Sequence, residues 1–438
     1  MPQSPSIQTT PAYRRRVLFA SLVGTTIEFF DFYIYATAAV LVFPSLFFPE
    51  SEAGAAVLQS LATFALAFLA RPIGSALFGH FGDRLGRKVT LVAALLTMGI
   101  STVVIGLLPT YATIGIAAPI LLALCRFGQG LGLGGEWGGA VLLATENAPP
   151  GKRAWYGMFP QLGAPLGFIL ATGTFILIDL FFDEAQLFGF AWRIPFIASA
   201  LLVFIGLWVR LNIHETPDFQ KALERNERKA IPAMSVLTEH PWRLFIGTTA
   251  ALATFVLFYL MTVFSLNHGT TVLGYSRHDF LVYQIIGVLF FALTIPISAV
   301  IADRHGRRMM LLIATALIMA FGFSFEMLFS GGSVGSTLFF LALGLALMGL
   351  TYGPIGTELA ELFPTAVRYT GASLTFNLAG IFGASFAPYI ATYLAGKYGI
   401  ASVGYYLVVA GGLSLLALIL RPKEAGDSAA AIPSRLPN

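Results

Sequence analysis

The chain is short of charge and of cysteine. Of its 438 residues only 11% are charged, and Cys125 is the single cysteine. One cysteine excludes an internal disulfide and a thiolate metal cluster. The six histidines show no ligand spacing, so no metal is expected. No Gly-Lys-Ser or Gly-Lys-Thr follows the glycine run at 128–139, and no strand pattern precedes it. A nucleotide loop is therefore not expected, and neither is any other cofactor. A better reading of that run is that small residues let membrane helices approach closely. Soluble globular chains carry about 25% charged residues, so water is not the main solvent of this one.

What is present in excess is apolar: 57% of the residues are hydrophobic. Charge-poor runs fall at about 17–43, 54–78, 89–108, 112–145, 154–181, 191–209, 243–266, 280–302, 309–329, 335–360, 369–396 and 401–420. Each is close to the roughly 20 residues that cross a bilayer. The reading is an all-α membrane protein of twelve transmembrane helices, six on each side of a polar stretch. The first run follows Arg14, Arg15 and Arg16, is too long for a signal-peptide core, and reads as a permanent span. An enzyme is not expected, nor a nucleic-acid partner; a lipid bilayer is.

With an even number of spans both termini share a side. That side collects Arg14–Arg16, Arg84, Arg87, Lys88, Lys152, Arg153, six basic residues from Arg210 to Arg243, then Arg304, Arg307, Arg308 and Arg368. The other side has Arg193, Arg277 and Lys397. The positive-inside rule makes the termini cytoplasmic. The division expected is a six-helix bundle at 1–210, a linker at 211–242, a second bundle at 243–420 and a disordered tail at 421–438. In the linker, Thr216 is a candidate cap and Pro217 suits the first helical position. Phe219, Ala222 and Leu223 fall on one face of a short amphipathic helix.

Two short patterns repeat. "GHFGDRLGRK" at 79–88 returns as "AVIADRHGRR" at 299–308, both after the second span of a half. "ENAPPGKRAWYG" from Glu146 returns as "ELFPTAVRYTG" from Glu361, with a proline three residues and an arginine seven residues after each glutamate. The halves are duplicated six-helix units, and parallel repeats of this kind hold their site between the halves, near the midplane.

At these residues the chain resembles the major facilitator superfamily. The hallmark loop is matched by Gly79, Asp83, Arg84, Gly86, Arg87 and Lys88; the second copy keeps Asp303, Arg304, Gly306, Arg307 and Arg308 but has Ala299 for the first glycine. Within the superfamily, "EFFDF", "ARPIG" and "RFGQGLGLGGEWGGA" are similar to the metabolite:proton symporters, which include permeases for shikimate, α-ketoglutarate, citrate and proline or betaine. The resemblance implies a monomeric secondary transporter importing a small polar metabolite, with an organic acid as the expected solute, together with protons. The gates it implies are Asp83, Arg84, Arg87 and Glu146, with Asp303, Arg304, Arg307 and Glu361 as the second copy. Drug antiporters of the superfamily carry a Gly-Pro motif in span five, where this chain has Ala164 between Gly163 and Pro165.

Charges inside the spans carry the chemistry. They are Glu28, Asp31, Arg71, Arg126, Glu136, Glu326 and Glu358. A carboxylate at the middle of a span costs roughly 2.5 to 3.5 kcal/mol on insertion scales, so such groups are functional hypotheses by default. Near helix ends they snorkel, and Glu326 and Glu358 read as interfacial. Arg71 sits near the end of span two, to reach the interface or to hold Glu136. Asp31 lies roughly 22 Å beyond Arg16 at helical rise, and Arg126 lies at a similar depth in span four. Two readings stand for them: a static ion pair, or a proton switch in which burial favours the neutral acid and a nearby arginine the carboxylate. The resemblance adds that proton-coupled sugar porters use an aspartate in span one and an arginine in span four in the second way. Glu28 and Glu136 are secondary proton candidates. Shifted by 215 residues, Arg126 and Glu136 map onto Leu341 and Thr351, so proton chemistry is expected in the first half and solute contacts mainly in the second. Candidate solute contacts are Tyr33, Tyr35, Arg126, Gln129, Trp137, Gln161, Tyr259, Tyr352 and Asn377. The rivals are a uniporter or exchanger with a structural Asp31–Arg126 pair, a transport-silent sensor, and a channel.

Overall fold

The computed structural model describes residues 11–51, 53–85, 87–211, 232–331, 333–364 and 367–422, without the side chains of 79–91. The amphipathic helix expected near Thr216, the tail from 423, and the side chains of Asp83, Arg84 and Arg87 lie outside the described residues.

Twelve long helices form the described chain. They are α1 (Pro11–Leu41), α2 (Ala53–Leu85), α3 (Arg87–Leu107), α4 (Ala117–Glu146), α5 (Arg153–Phe181) and α6 (Ile194–Leu211), then α7 (Pro241–Thr271), α8 (Arg277–His305), α9 (Arg307–Phe323), α10 (Val334–Glu361), α11 (Arg368–Tyr398) and α12 (Ala401–Leu420). Among the described residues, ten regions are long and apolar enough to cross a membrane. The other two helices, α3 and α9, span 21 and 17 residues. The outside is as apolar as the core: Phe19, Ile100, Leu124, Phe204, Leu293 and Leu416 are all exposed. Lipid, which cannot hydrogen-bond a backbone, accepts that surface.

The sequence-based windows match most of these helices within a few residues, and the exceptions have local causes. α2 runs on to Leu85, so Arg71 stands 14 residues from its end rather than near it. α4 breaks between Gly134 and Trp137. Glycines bring α2 and α4 together: a β-carbon on Gly130 would lie 2.7 Å from the Ala67 Cα, and one on Gly134 would lie 2.8 Å from the Arg71 carbonyl carbon. Any side chain there would force the helices apart, which is the close-approach role read from the glycine run.

α7 and α11 each contain a π-helical segment, Leu260–Phe264 and Ile381–Ser385. Such segments misalign backbone carbonyls, and in α7 Gln284 of α8 meets them. Its Nε2 donates to the carbonyls of Met261 and Thr262 at 3.3 and 2.6 Å. The two sets of six helices meet where α5 packs on α8 and α10 and where α2 packs on α11.

Candidate functional site

α1 delivers three consecutive side chains to three environments. Asp31 turns into the first six helices, where its oxygens accept from Ser199 of α6 at 2.5 Å and Thr102 of α3 at 3.1 Å. Thr102 also accepts from Gln129 Nε2 at 2.7 Å, and Gln129 Oε1 accepts from Arg126 Nη1 at 2.9 Å. Asp31 and Arg126 are thus joined through Gln129 and Thr102 instead of by a direct ion pair. Arg126 is fully buried; its guanidinium lies 4.3 Å from the ring centroid of Phe32, 4.1 Å from Tyr35 and 4.9 Å from Phe64. Its Nη2 has no hydrogen-bond partner.

Tyr33, on the other side of the helix, lines a narrow central cavity of about 20 Å³ with Phe29, Arg71, Ala164, Phe255, Phe258, Tyr259, Phe291, Met348, Tyr352 and Phe376. That volume accepts about one water. Between them stands Phe32. The Arg71 guanidinium lies 4.7 Å from the Phe32 centroid and 4.6 Å from that of Phe68. Two arginines therefore flank one ring, Arg71 on the cavity side and Arg126 on the Asp31 side. Phe64 and Phe68 extend this partition, their centroids both 5.2 Å from Phe32.

The cavity collects Tyr33, Tyr259 and Tyr352 from the residues expected at a solute site. Others sit around it. Tyr35 shares a 2.7 Å hydrogen bond with Thr63 inside the first six helices. Trp137 stacks on Phe376 at 3.6 Å and donates to Gln161 at 3.0 Å; Gln161 donates to the Tyr352 carbonyl at 2.9 Å. Asn377 donates to Ser75 at 2.8 Å and to the Gly134 carbonyl at 3.2 Å. These contacts join the halves between the cavity and the face that carries the chain ends. Glu28 and Glu136 are both buried.

That face is closed by charge. Asp303 accepts from the backbone N–H groups of Ala154 and Trp155, at 2.9 Å each, and so caps the first turn of α5 from the other half. Glu361 pairs with Arg307 and, at 3.1 Å, with Arg153 across the halves. Arg304 and Glu146 are exposed. On the opposite face Asp179 of α5 meets His278 at 3.3 Å and Arg277 at 3.9 Å.

The family described as "Sugar (and other) transporter" matches residues 17–421. The chain is 58% identical to the inner membrane metabolite transport protein YhjE of Escherichia coli over 93% of its length and 94% of the relative's. It is 36% identical to the shikimate transporter of the same organism, covering 93% and 94%. The chain belongs to the sugar and other transporter family of the major facilitator superfamily. Among solved structures, the proton:xylose symporter XylE superposes with a TM-score of 0.72 at 20% identity, covering 93% of this chain and 95% of that one. The protein is a multi-pass membrane transporter, and not an enzyme.

Reading this transporter from its sequence missed part of the cavity. Arg71 was assigned to the interface or to Glu136, and it stands over Phe32 and Phe68. Phe258, Phe291, Phe376 and Met348 carried no signal, because an apolar residue in an apolar helix has none. Glu358, read as interfacial, is 1% exposed and bonded to Arg421 at 2.8 Å, whereas Glu326 is exposed.

Proposed function

We propose that this transporter imports a small organic acid together with protons, by alternating access. The observation that carries the reading is the pair of arginines on either side of Phe32, one in a cavity and one wired to a buried aspartate. Arg71 anchors the solute carboxylate, since a guanidinium fork matches two carboxylate oxygens. Tyr33, Tyr259 and Tyr352 supply hydroxyls, and the phenylalanine walls cover the apolar part of the solute. Asp31 carries the proton. Its bonds to Ser199 and Thr102 hold the carboxylate, and Gln129 transmits a movement of Arg126 to it.

Proximity to a shikimate transporter and to proline/betaine transporters, the latter 32% identical, supports a small carboxylate-bearing solute. Likeness of fold to a proton:xylose symporter is compatible with proton coupling. The termini face the cytoplasm, the two bundles move about the central cavity, and the linker at 211–242 connects them. The ties of Asp303, Arg307 and Glu361, with Asp83, Arg87 and Glu146 as the other copy, stabilise the state closed to the cytoplasm and break when it opens. The protein works as a monomer.

The test is uptake by vesicles holding the purified protein, with a panel of labelled shikimate, dicarboxylates, citrate, aromatic acids, proline and betaine. One carboxylate accumulated against its gradient, with acidification of the lumen, is the expected result. Uptake that only equilibrates the solute and ignores the proton gradient would leave a uniporter or exchanger; a flux that never saturates would leave a channel.

A further inference from the structure

A second cavity opens on the face opposite the chain ends, entirely within the first six helices. It holds about 370 Å³ and is lined by Glu50, Ser51, Gln59, Thr63 and Tyr111 among apolar neighbours that include Phe47 and Pro119. Ser51 donates to Gln59 at 2.9 Å near its mouth. Thr63 lies ten residues into α2, about 15 Å deep at helical rise. There its hydroxyl meets that of Tyr35 at 2.7 Å. The Tyr35 ring rests on Arg126 at 4.1 Å, and Arg126 leads through Gln129 and Thr102 to Asp31. Phe32, Phe64 and Phe68 stand between this line and the central cavity.

We propose that this pocket is the proton's own entrance, separate from the solute's path. The proposal rests on the reading of Asp31 as proton carrier. Water fills the pocket to Thr63, and the hydroxyls of Thr63 and Tyr35 relay the proton inward. The guanidinium of Arg126 is the barrier, because a fixed cation repels an excess proton. Its partnerless Nη2 leaves it free to exchange Gln129 for another acceptor, and that displacement opens the last step to the Asp31 carboxylate. Asp31 then becomes the neutral acid, still facing Ser199 and Thr102, with Glu28 one turn away on α1. A proton route that avoids the solute cavity lets protonation precede solute binding.

The experiment uses full-length Cys125→Ser protein in vesicles of phosphatidylethanolamine and phosphatidylglycerol, with infrared difference spectra after an external pH drop. The readout is the carboxylic-acid band that Asp31→Asn removes. Gln59→Cys, labelled from the pocket side with a bulky membrane-impermeant thiol reagent, should slow the appearance of that band about tenfold or more, and Thr63→Val should do so without any label. A band that rises at the unlabelled rate in both would overturn the entrance while leaving Asp31 as the carrier. If no band depends on Asp31 at all, the proton reading fails and the entrance with it.

Discussion

Arg126 of α4 is fully buried in a network that ends at Asp31; at the matching place in the second half, 215 residues later, Leu341 is fully buried and apolar. Glu136 likewise corresponds to Thr351 under the duplication. The second six helices contribute Phe258, Tyr259, Phe291 and Tyr352 to the cavity, and their buried acids, Glu358 and Glu361, stay at the face with the chain ends, paired with arginines. They also hold both π-helical segments. On the proposed function, the two halves of one duplicated fold have separated their tasks. Mid-span charge is concentrated in the first half, whose α4 is itself broken beside Glu136, and the second half combines aromatic lining with the π-helical segments. Mid-helix irregularity often marks a functional place, so under that proposal the aromatic wall reshapes around a solute while Asp31 keeps its bonds to Ser199 and Thr102.

Removing the charge from the first half breaks this comparison most completely. Asp31→Asn fixes the neutral form, so state changes continue but no proton is released inside. Uphill uptake should vanish, while exchange at equal concentrations persists and loses its pH dependence. For a monocarboxylate carried with one proton no net charge crosses, so the drive is the pH gradient, about 1.4 kcal/mol and a tenfold accumulation per pH unit. Proton and solute uptake measured together in vesicles decides it. If Asp31→Asn still concentrates solute and acidifies the lumen, the charged half is structural and the carrier must be sought at Glu28 or Glu136.

A smaller effect separates the two arginines. Arg71→Lys keeps the charge and loses the fork, and should weaken carboxylate binding about tenfold to a hundredfold. Arg126→Lys should change the proton-to-solute ratio and leave equilibrium affinity close to the parent's. Binding titrations of both variants with the solute found in the panel would exchange these roles if Arg126→Lys were the one that lost affinity.

How much of this was legible beforehand depends on what a linear pattern encodes. The repeated motifs named Asp303, Arg307 and Glu361; Asp303 and Glu361 contact the first half at Ala154 and Arg153, while Arg307 pairs with Glu361 within the second half. Asp31 and Arg126 were legible as charges that lipid would not tolerate alone. Their connection through Gln129 and Thr102 was not, since depth along a helix says nothing of rotation about it. The same ignorance of rotation hid Arg71 from the cavity. Glu358 does lie at the face with the chain ends, but its pairing with Arg421 was not legible, since Arg421 lies past the last apolar run, where hydropathy sees only the end of a helix.

The gate should respond less than either arginine. Asp303→Asn removes the negative charge from the first turn of α5, an interaction of about 1 kcal/mol, and should alter turnover roughly fivefold with solute affinity unchanged. Initial rates compared with equilibrium binding test this. Loss of binding by folded Asp303→Asn protein would make the contact part of the solute site and not a lock between states.

Gln284→Leu should produce the smallest functional change, and it sharpens the claim about irregular helices in the second half. Gln284 gives up its Nε2 bonds to the Met261 and Thr262 carbonyls and to Ser265 Oγ, while those carbonyls keep Ser265 Oγ and the Ser265 N–H as donors. Each lost bond costs about 0.5 to 1.5 kcal/mol net, and at about 2.1 cal/mol/K per residue each kcal/mol lowers Tm of a chain of this length by roughly 1 °C. Nothing in the Asp31 network touches Gln284, so the proton-to-solute ratio should stay that of the parent while Tm falls. Thermal unfolding followed beside coupled uptake reads both quantities in one preparation. An altered ratio with an unchanged Tm would show that the irregular helices of the second half set the coupling, and that the division of tasks between the halves is wrong.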